Sequence, residues 1–241
     1  MIAGMSQAAD PSETAMAGAP PEARQSDRAF DVLKAEIVSC RLRPGSSVSE
    51  AVLAERFGFG RAATRSALTR LSALRLVLPV PRAGHTIAPI TVQSIQELFE
   101  LRLMLEPHAA RLAAGRVDVD ALRRTNRSPQ SSRSDREKLS FVAANRAFHL
   151  LIAESTRNER LVAVLEALGD EAERLVHVGL FGHGSCEQDR SDADDDHQAI
   201  ISAFERNDAD AAADAMAVHI ERSRDAVLAR VNSGPSRWAV F

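Results

Sequence analysis

No apolar run in the 241 residues reaches the ~18 that a membrane-spanning helix needs, so no such helix is expected. Met1 to Pro21 does not read as a secretory leader, since it has no basic n-region and carries Asp10 and Glu13 instead. Cysteine is scarce. Cys40 and Cys186 stand far apart, in no metal-binding or redox spacing, which suits a reducing cytoplasm. There is no internal repeat, and a strong charge of either sign is absent, the net value being −3.

What is present suits a globular chain: 45% hydrophobic and 26% charged residues leave enough apolar surface for a core, and the length allows two modest domains. The charge is unevenly spread. Arg28, Lys34, Arg41, Arg43, Arg56, Arg61, Arg65, Arg70, Arg75 and Arg82 face only Asp31, Glu36, Glu50 and Glu55, so this segment is +6 and the rest of the chain −9. A basic front on an acidic back is the asymmetry expected when one half meets phosphate.

Residues 1–25, rich in Ala, Pro, Ser and Gly, read as a disordered tail. Phe30, Leu33 and Ile37 recur at helical spacing and predict a helix over about 26–40. After the Arg43-Pro44-Gly45 turn, Ser49 caps a second helix that Gly58 ends. A third helix is expected over Gly60 to Leu76, with Thr64, Leu68 and Leu71 inward. Val77 to Val80 and Thr86 to Ile90 make a β-hairpin around Gly84, with Pro79 confining the first strand to an edge. The short link after Phe57 forces its two helices to cross steeply and lets the second protrude. That helix carries Arg61 and, one turn on, Arg65, as a helix entering a major groove would. A solvated basic face is the plainer alternative.

From Thr91 the pattern is all-helical. Ile95, Leu98, Leu101, Leu105 and Ala109 mark a long helix, bent near Pro107. Helices are expected near 119–124 and over 138–155, 159–180, 192–206 and 208–231, with loops at 125–136 and from Gly182 to Asp194, and a frayed end over 232–241.

Three of the seven histidines share apolar helical stripes: His149 with Phe141, Phe148 and Ile152 (Asn145 one turn before it), His197 with Ile200, Ile201 and Phe204, and His219 with Met216, Ile220 and Val227. Each alone fits a hydrogen-bonded core residue. Together they fit a shared divalent ion, because buried imidazoles without partners are costly and a metal satisfies all of them. Three protein nitrogens leave positions open, which a carboxylate can fill. The pattern by itself decides between neither reading.

These residues resemble a known family. Val32 to Thr91, with Ile37, Arg41-Leu42-Arg43-Pro44-Gly45, Ser49-Glu50, Leu53 to Gly58, Arg61, Arg65, Ala67-Leu68, Arg70-Leu71, Leu76-Val77 and Gly84, is similar to the winged helix-turn-helix of the GntR regulators. Glu97 to Ala114, with Glu100, Arg102, Leu105-Glu106 and the Ala109 to Ala114 run, resembles the start of the FCD ligand-binding domain of the FadR subfamily. The fold implied is mainly α: a winged helix-turn-helix with a hairpin wing over 26–90, then an all-helical bundle over 91–231.

The resemblance further implies a cytoplasmic homodimeric regulator on a palindromic double-stranded operator. DNA contacts fall to Gly60, Arg61, Ala62, Arg65 and the wing residues Arg82, Gly84 and His85. Asn145, His149, His197 and His219 take the places of metal ligands, for Zn²⁺ first and Ni²⁺ or Mn²⁺ as alternatives. Arg102, with His177 beside it, would face a small organic acid; an ion pair between Arg102 and Glu106 is the alternative for that arginine.

The departures bear on both halves. Asn145 replaces a usual acidic ligand. Gly60 replaces a capping hydroxyl, Ala51 a DNA-reaching Arg, and Ala62-Ala63 a common Thr-Pro, so a thinner DNA surface is expected. Two other readings compete: a three-histidine metal hydrolase, opposed by the lack of an acidic residue evidently placed beside the histidines, and a metal-free ligand-binding bundle.

Overall fold

The computed structural model describes residues 21–126, 135–181 and 187–232. The chain divides into two compact units. Among the described residues, one joins those up to Ala35 with Ser47–Thr86; the other joins Glu36–Ser46 with those from Ile87 on.

The first unit takes α1 (Pro21–Val38) as far as Ala35, then β1 (Ser47–Val48), α2 (Glu50–Phe57), α3 (Arg61–Ala73), β2 (Val77–Val80) and β3 (Gly84–Ile87) as far as Thr86. α1 starts at Pro21, earlier than the tail reading allowed. The local signals at α2 act as expected. The Ser49 side chain accepts from the Val52 N–H, and Gly58 closes the helix in the left-handed region at φ 69°. α3 is shorter at both ends than Gly60 to Leu76, with Gly60 as a cap lacking any side-chain hydrogen bond. Leu53, Ala67, Leu68, Leu71, Leu76 and Val77 are buried, with Thr64 among them.

The wing has three strands where a two-stranded hairpin was expected, in the order β1-β3-β2. β1 pairs antiparallel with β3 through Ser47↔Thr86 and Val48↔His85. Two residues carry no readable alternation, which is why β1 escapes the sequence. β2, with Pro79, lies at the edge as anticipated. Gly84 has φ +98°, and a Cβ there would stand 2.8 Å from the Val48 carbonyl oxygen. Gly84→Ala is therefore expected to cost about 1–3 kcal/mol from backbone strain alone, with further loss of the β1–β3 pairing. Thermal unfolding against the parent chain measures it; an unchanged midpoint would contradict the argument.

The second unit is a helical bundle: α4 (Val92–Ala113), α5 (Val119–Thr125), α6 (Asp135–Ser155), α7 (Glu159–Phe181), α8 (Glu187–Glu205) and α9 (Ala209–Asn232). A capping box starts α4: the Ser94 N–H donates to Thr91 Oγ1 and the Thr91 N–H to Ser94 Oγ. Pro107 sits inside α4 and withholds one N–H from its ladder. The buried face of α4 is Ile95, Leu98, Phe99, Arg102, Glu106, Ala109 and Ala110, whereas Leu101, expected inside, is 46% exposed. Two buried charges interrupt the apolar stripe and shift its apparent phase.

Of the loop expected from Gly182 to Asp194, residues 182–186 lie outside the described residues, and the acidic stretch from Glu187 onward is helix. It has few apolar residues, so periodicity hides it. Of the loop expected over 125–136, residues 127–134 lie outside the described residues and 135–136 are helical. The expected tail before residue 21 and the frayed end after Asn232 likewise lie outside them. Among the described residues no helix is long and apolar enough to cross a membrane.

Candidate functional site

On the first unit, α3 presents the residues expected at DNA. Arg61 and Ala62 are exposed at its start, while Ala63 is turned into the core. Arg65 is exposed but engaged. Its Nε and Nη2 donate to both carboxylate oxygens of Glu50 at 2.9–3.0 Å. The hydrogen bond from Arg65 holds the Glu50 carboxyl below its ordinary pKa. Arg82 takes a left-handed φ of 64° in an exposed turn, and Gly84 and His85 follow it half-buried in β3.

In the bundle, α6, α8 and α9 bring His149, His197 and His219 together. One ring nitrogen from each lies within 4.8 Å of the others. Ring centroids are 5.6 Å apart for His149 and His197, 5.2 Å for His149 and His219, and 4.6 Å for His197 and His219. Phe148 stacks flat on His197 at 4.0 Å and fixes the plane of that ring. Burial pushes the His197 imidazole well below its ordinary pKa, helped by His219, His149 and Arg102. Burial likewise lowers His219, to about 4. Both rings are thus neutral near pH 7, the form that ligates a metal.

The second unit also has a cavity of about 30 Å³, lined in part by Arg102 and Glu106 of α4, Asn145, Arg146 and His149 of α6, and Glu166, Gly169 and Glu173 of α7. By its volume it holds a couple of waters or the head of a small ligand. His149 belongs both to this lining and to the histidine cluster. Arg102 is buried there, its Nε donating to Glu106 Oε1 at 2.6 Å. The ion pair considered for Arg102 is therefore present, and the same arginine lines the cavity. Arg146 donates to Asp170 at 3.0 Å and lies where a Cβ on residue 169 would be, 1.6 Å from that position, so Gly169 makes room for it. His177 is buried 3.7 Å from Glu173 Oε1, and Glu173 rather than His177 reaches the cavity.

One expectation needs correcting. Acidic groups do stand beside the histidines. Glu106 Oε2 is 2.7 Å from His149 Nδ1, and Asp196 Oδ2 is 3.7 Å from His219 Nδ1. Neither approach is aligned as a hydrogen bond, and all of these atoms except Asp196 Oδ2 are buried without a hydrogen-bond partner. Burial works to raise the Glu106 carboxyl, but Arg102 and His149 outweigh it, so Glu106 stays ionised. Asp196 is also held below its ordinary value against its burial, by His219 and Arg222, whose guanidinium it accepts. Helix α4 is distant in sequence from α6, so only the tertiary fold puts Glu106 against His149. Asp196 was hidden differently: it adjoins His197 in sequence but faces His219.

The site fits a divalent ion. His149 Nε2 and His197 Nε2 are buried ring nitrogens without hydrogen-bond partners, and a shared ion would satisfy both. Asn145 lines the adjoining cavity.

Comparison with known proteins agrees with this architecture. The family model described as bacterial regulatory proteins, gntR family, matches residues 25–87, and the FCD domain model matches residues 97–222, more than half of the chain. The chain is 26% identical over 192 residues to a probable D-xylose utilization operon transcriptional repressor of Paenarthrobacter nicotinovorans, covering 79% of this chain and 83% of that one. It is 26% identical over 195 residues to the HTH-type transcriptional repressor GlaR of Escherichia coli, covering 78% and 89%. In fold it resembles the solved E. coli McbR/YncC, with a TM-score of 0.74 at 20% identity over 86% of this chain and 99% of that one.

Proposed function

Because the chain belongs to the GntR family of bacterial regulators and joins its helix-turn-helix to an FCD domain, we propose that it is a transcriptional repressor whose grip on a palindromic operator is set by a small carboxylate held at a metal ion in the bundle. The observation that carries the sensing half is the cluster of three imidazoles within 4.8 Å, sharing His149 with a cavity that Arg102 lines. The repressor assignment leans on the two relatives named as repressors.

The residues divide the work. Residues 26–90 bind DNA through the start of α3 and the wing, in a cytoplasmic homodimer. Residues 91–231 sense. His149, His197 and His219 hold the ion, with Asn145 beside them. A metal there supplies positive charge and open positions for a carboxylate. Arg102 offers a second grip, since Glu106 engages it through Nε and the planar guanidinium can present its other edge to an acid. Effector and operator are then reciprocally linked through the bundle. A hydrolase is the weaker reading. Glu106 has one oxygen on Arg102 and the other against His149, which leaves it poorly placed to take a proton from a metal-bound water.

The test is a mobility-shift assay on DNA flanking the protein's own gene, with zinc-loaded protein and a panel of small mono- and dicarboxylates. Specific retardation that one acid weakens at least tenfold supports the proposal. Retardation that no acid alters, with acids failing to raise thermal stability, would sink the sensing half. Binding no tighter than to random DNA would sink the operator half.

A further inference from the structure

Each clustered imidazole has its Nδ1 within 4 Å of a side-chain oxygen from another part of the bundle, and the His197 contact is a hydrogen bond. His149 Nδ1 lies 2.7 Å from Glu106 Oε2 on α4. His197 Nδ1 lies 3.0 Å from Asn126 Oδ1, just past α5. His219 Nδ1 lies 3.7 Å from Asp196 Oδ2 on α8. The three oxygens come from three separate segments, so chance rotamers on one helix do not produce the pattern.

The amides and carboxylates are themselves held. Asn126 Nδ2 donates to the Asp194 carbonyl at 3.4 Å, which leaves Oδ1 for the histidine. An amide oxygen only accepts, so His197 Nδ1 carries the proton and Nε2 keeps its lone pair. Arg102 fixes Glu106 through its other oxygen, and Arg222 fixes Asp196 in the same way. On the far side of the rings, Nε2 of His149 and of His197 are buried without partners, while Nδ1 of His149 and of His219 stand close to their oxygens without aligned hydrogen bonds.

We propose, resting on the metal-sensor reading above, that Glu106, Asn126 and Asp196 are positioning residues. They form an outer oxygen shell that sets the Nδ1–H tautomer of the three histidines and turns each Nε2 toward the ion. Imidazole ligands are commonly oriented in this way by an oxygen on their second nitrogen. The shell also answers a question of charge. Three imidazoles and Asn145 bring no negative charge to a buried dication, and the shell adds two carboxylates one ring away.

The experiment uses the full chain, metal-free and then titrated with Zn²⁺ against a chromophoric chelator, with long-range ¹⁵N–¹H correlation spectra of the histidine rings. The metal-free protein should show Nδ1–H imidazoles for His149, His197 and His219, and Zn²⁺ should shift their Nε2 resonances. Glu106→Gln, Asn126→Ala and Asp196→Asn should each weaken Zn²⁺ about 10–100-fold, the range usual for lost outer-shell partners. Asn145→Ala should weaken it less. Since Glu106→Gln leaves Arg102 buried without its carboxylate, the paired Arg102→Gln/Glu106→Gln variant keeps the test readable and should lose as much affinity.

Nε2–H tautomers, or Zn²⁺ affinity unchanged in the three shell variants, would overturn the shell while leaving the sensor reading intact. A parent chain that takes up no Zn²⁺, Ni²⁺ or Mn²⁺ would overturn both.

Discussion

Replacing two of the three clustered histidines, in His149→Ala/His197→Ala, is expected to take the protein from about one divalent ion per chain to none. Elemental analysis of untagged protein reads the change directly. The two rings contribute three of the cluster's four ring nitrogens that are buried without partners, and one remaining imidazole cannot hold an ion against solvent or chelator. Stability should follow occupancy. An ion present at a hundred times its dissociation constant stabilises the folded state by about 2.7 kcal/mol, which in a chain of this size raises the melting temperature by roughly 5–10 °C. The double variant should lose that increment entirely. Its metal-free form should still fold, because the removed rings were poorly satisfied, and the shortened side chains relieve part of that burial penalty while opening a cavity. A double variant that keeps one equivalent of metal, or still melts higher with Zn²⁺, would show that the ion binds elsewhere.

The parts of this molecule that could be read in advance are those fixed by local chemistry. Ser49 and Gly58 bound α2 because a hydroxyl can accept from a helix's first N–H groups and a glycine can turn left-handed at its end. The inward stripe of α9 at Met216, His219 and Ile220 is continuous, and the convergence of the three histidines follows from stripes of that kind. Where tertiary structure decides, the reading falters. β1 exists only because β3 offers it a partner. The phase of α4 is misjudged because Arg102 and Glu106 are buried, and their burial makes sense only once each has the other and His149 beside it. The oxygens facing the histidines come from segments that nothing local connects to them. The sequence departure at Asn145 was visible, whereas the carboxylates that stand near the same centre were not.

Arg61→Ala/Arg65→Ala should weaken operator binding by about two to four orders of magnitude, taking about 1–3 kcal/mol for each arginine that reads a base edge. Both side chains are exposed on the first turns of α3, the end that a recognition helix directs into the major groove. With Ala62 beside them and no hydroxyl on Gly60, few neighbours can compensate. Arg65 is bound to Glu50, but the arginine side chain is 70% exposed in that pair, and pairs of this kind are worth only about 0–1 kcal/mol. DNA can displace it at little cost. Glu50→Gln should therefore tighten DNA binding several-fold, by removing both the competitor and a negative charge facing phosphate. Salt titration separates the roles. If an arginine contacts phosphate, its loss flattens the slope of log affinity against log salt by about one, and the loss is the same on specific and random DNA. If it reads a base, the slope changes little and discrimination falls. Affinity for the operator unchanged in the double variant would mean that α3 does not enter the groove, and that the wing around Arg82 and His85 carries recognition instead.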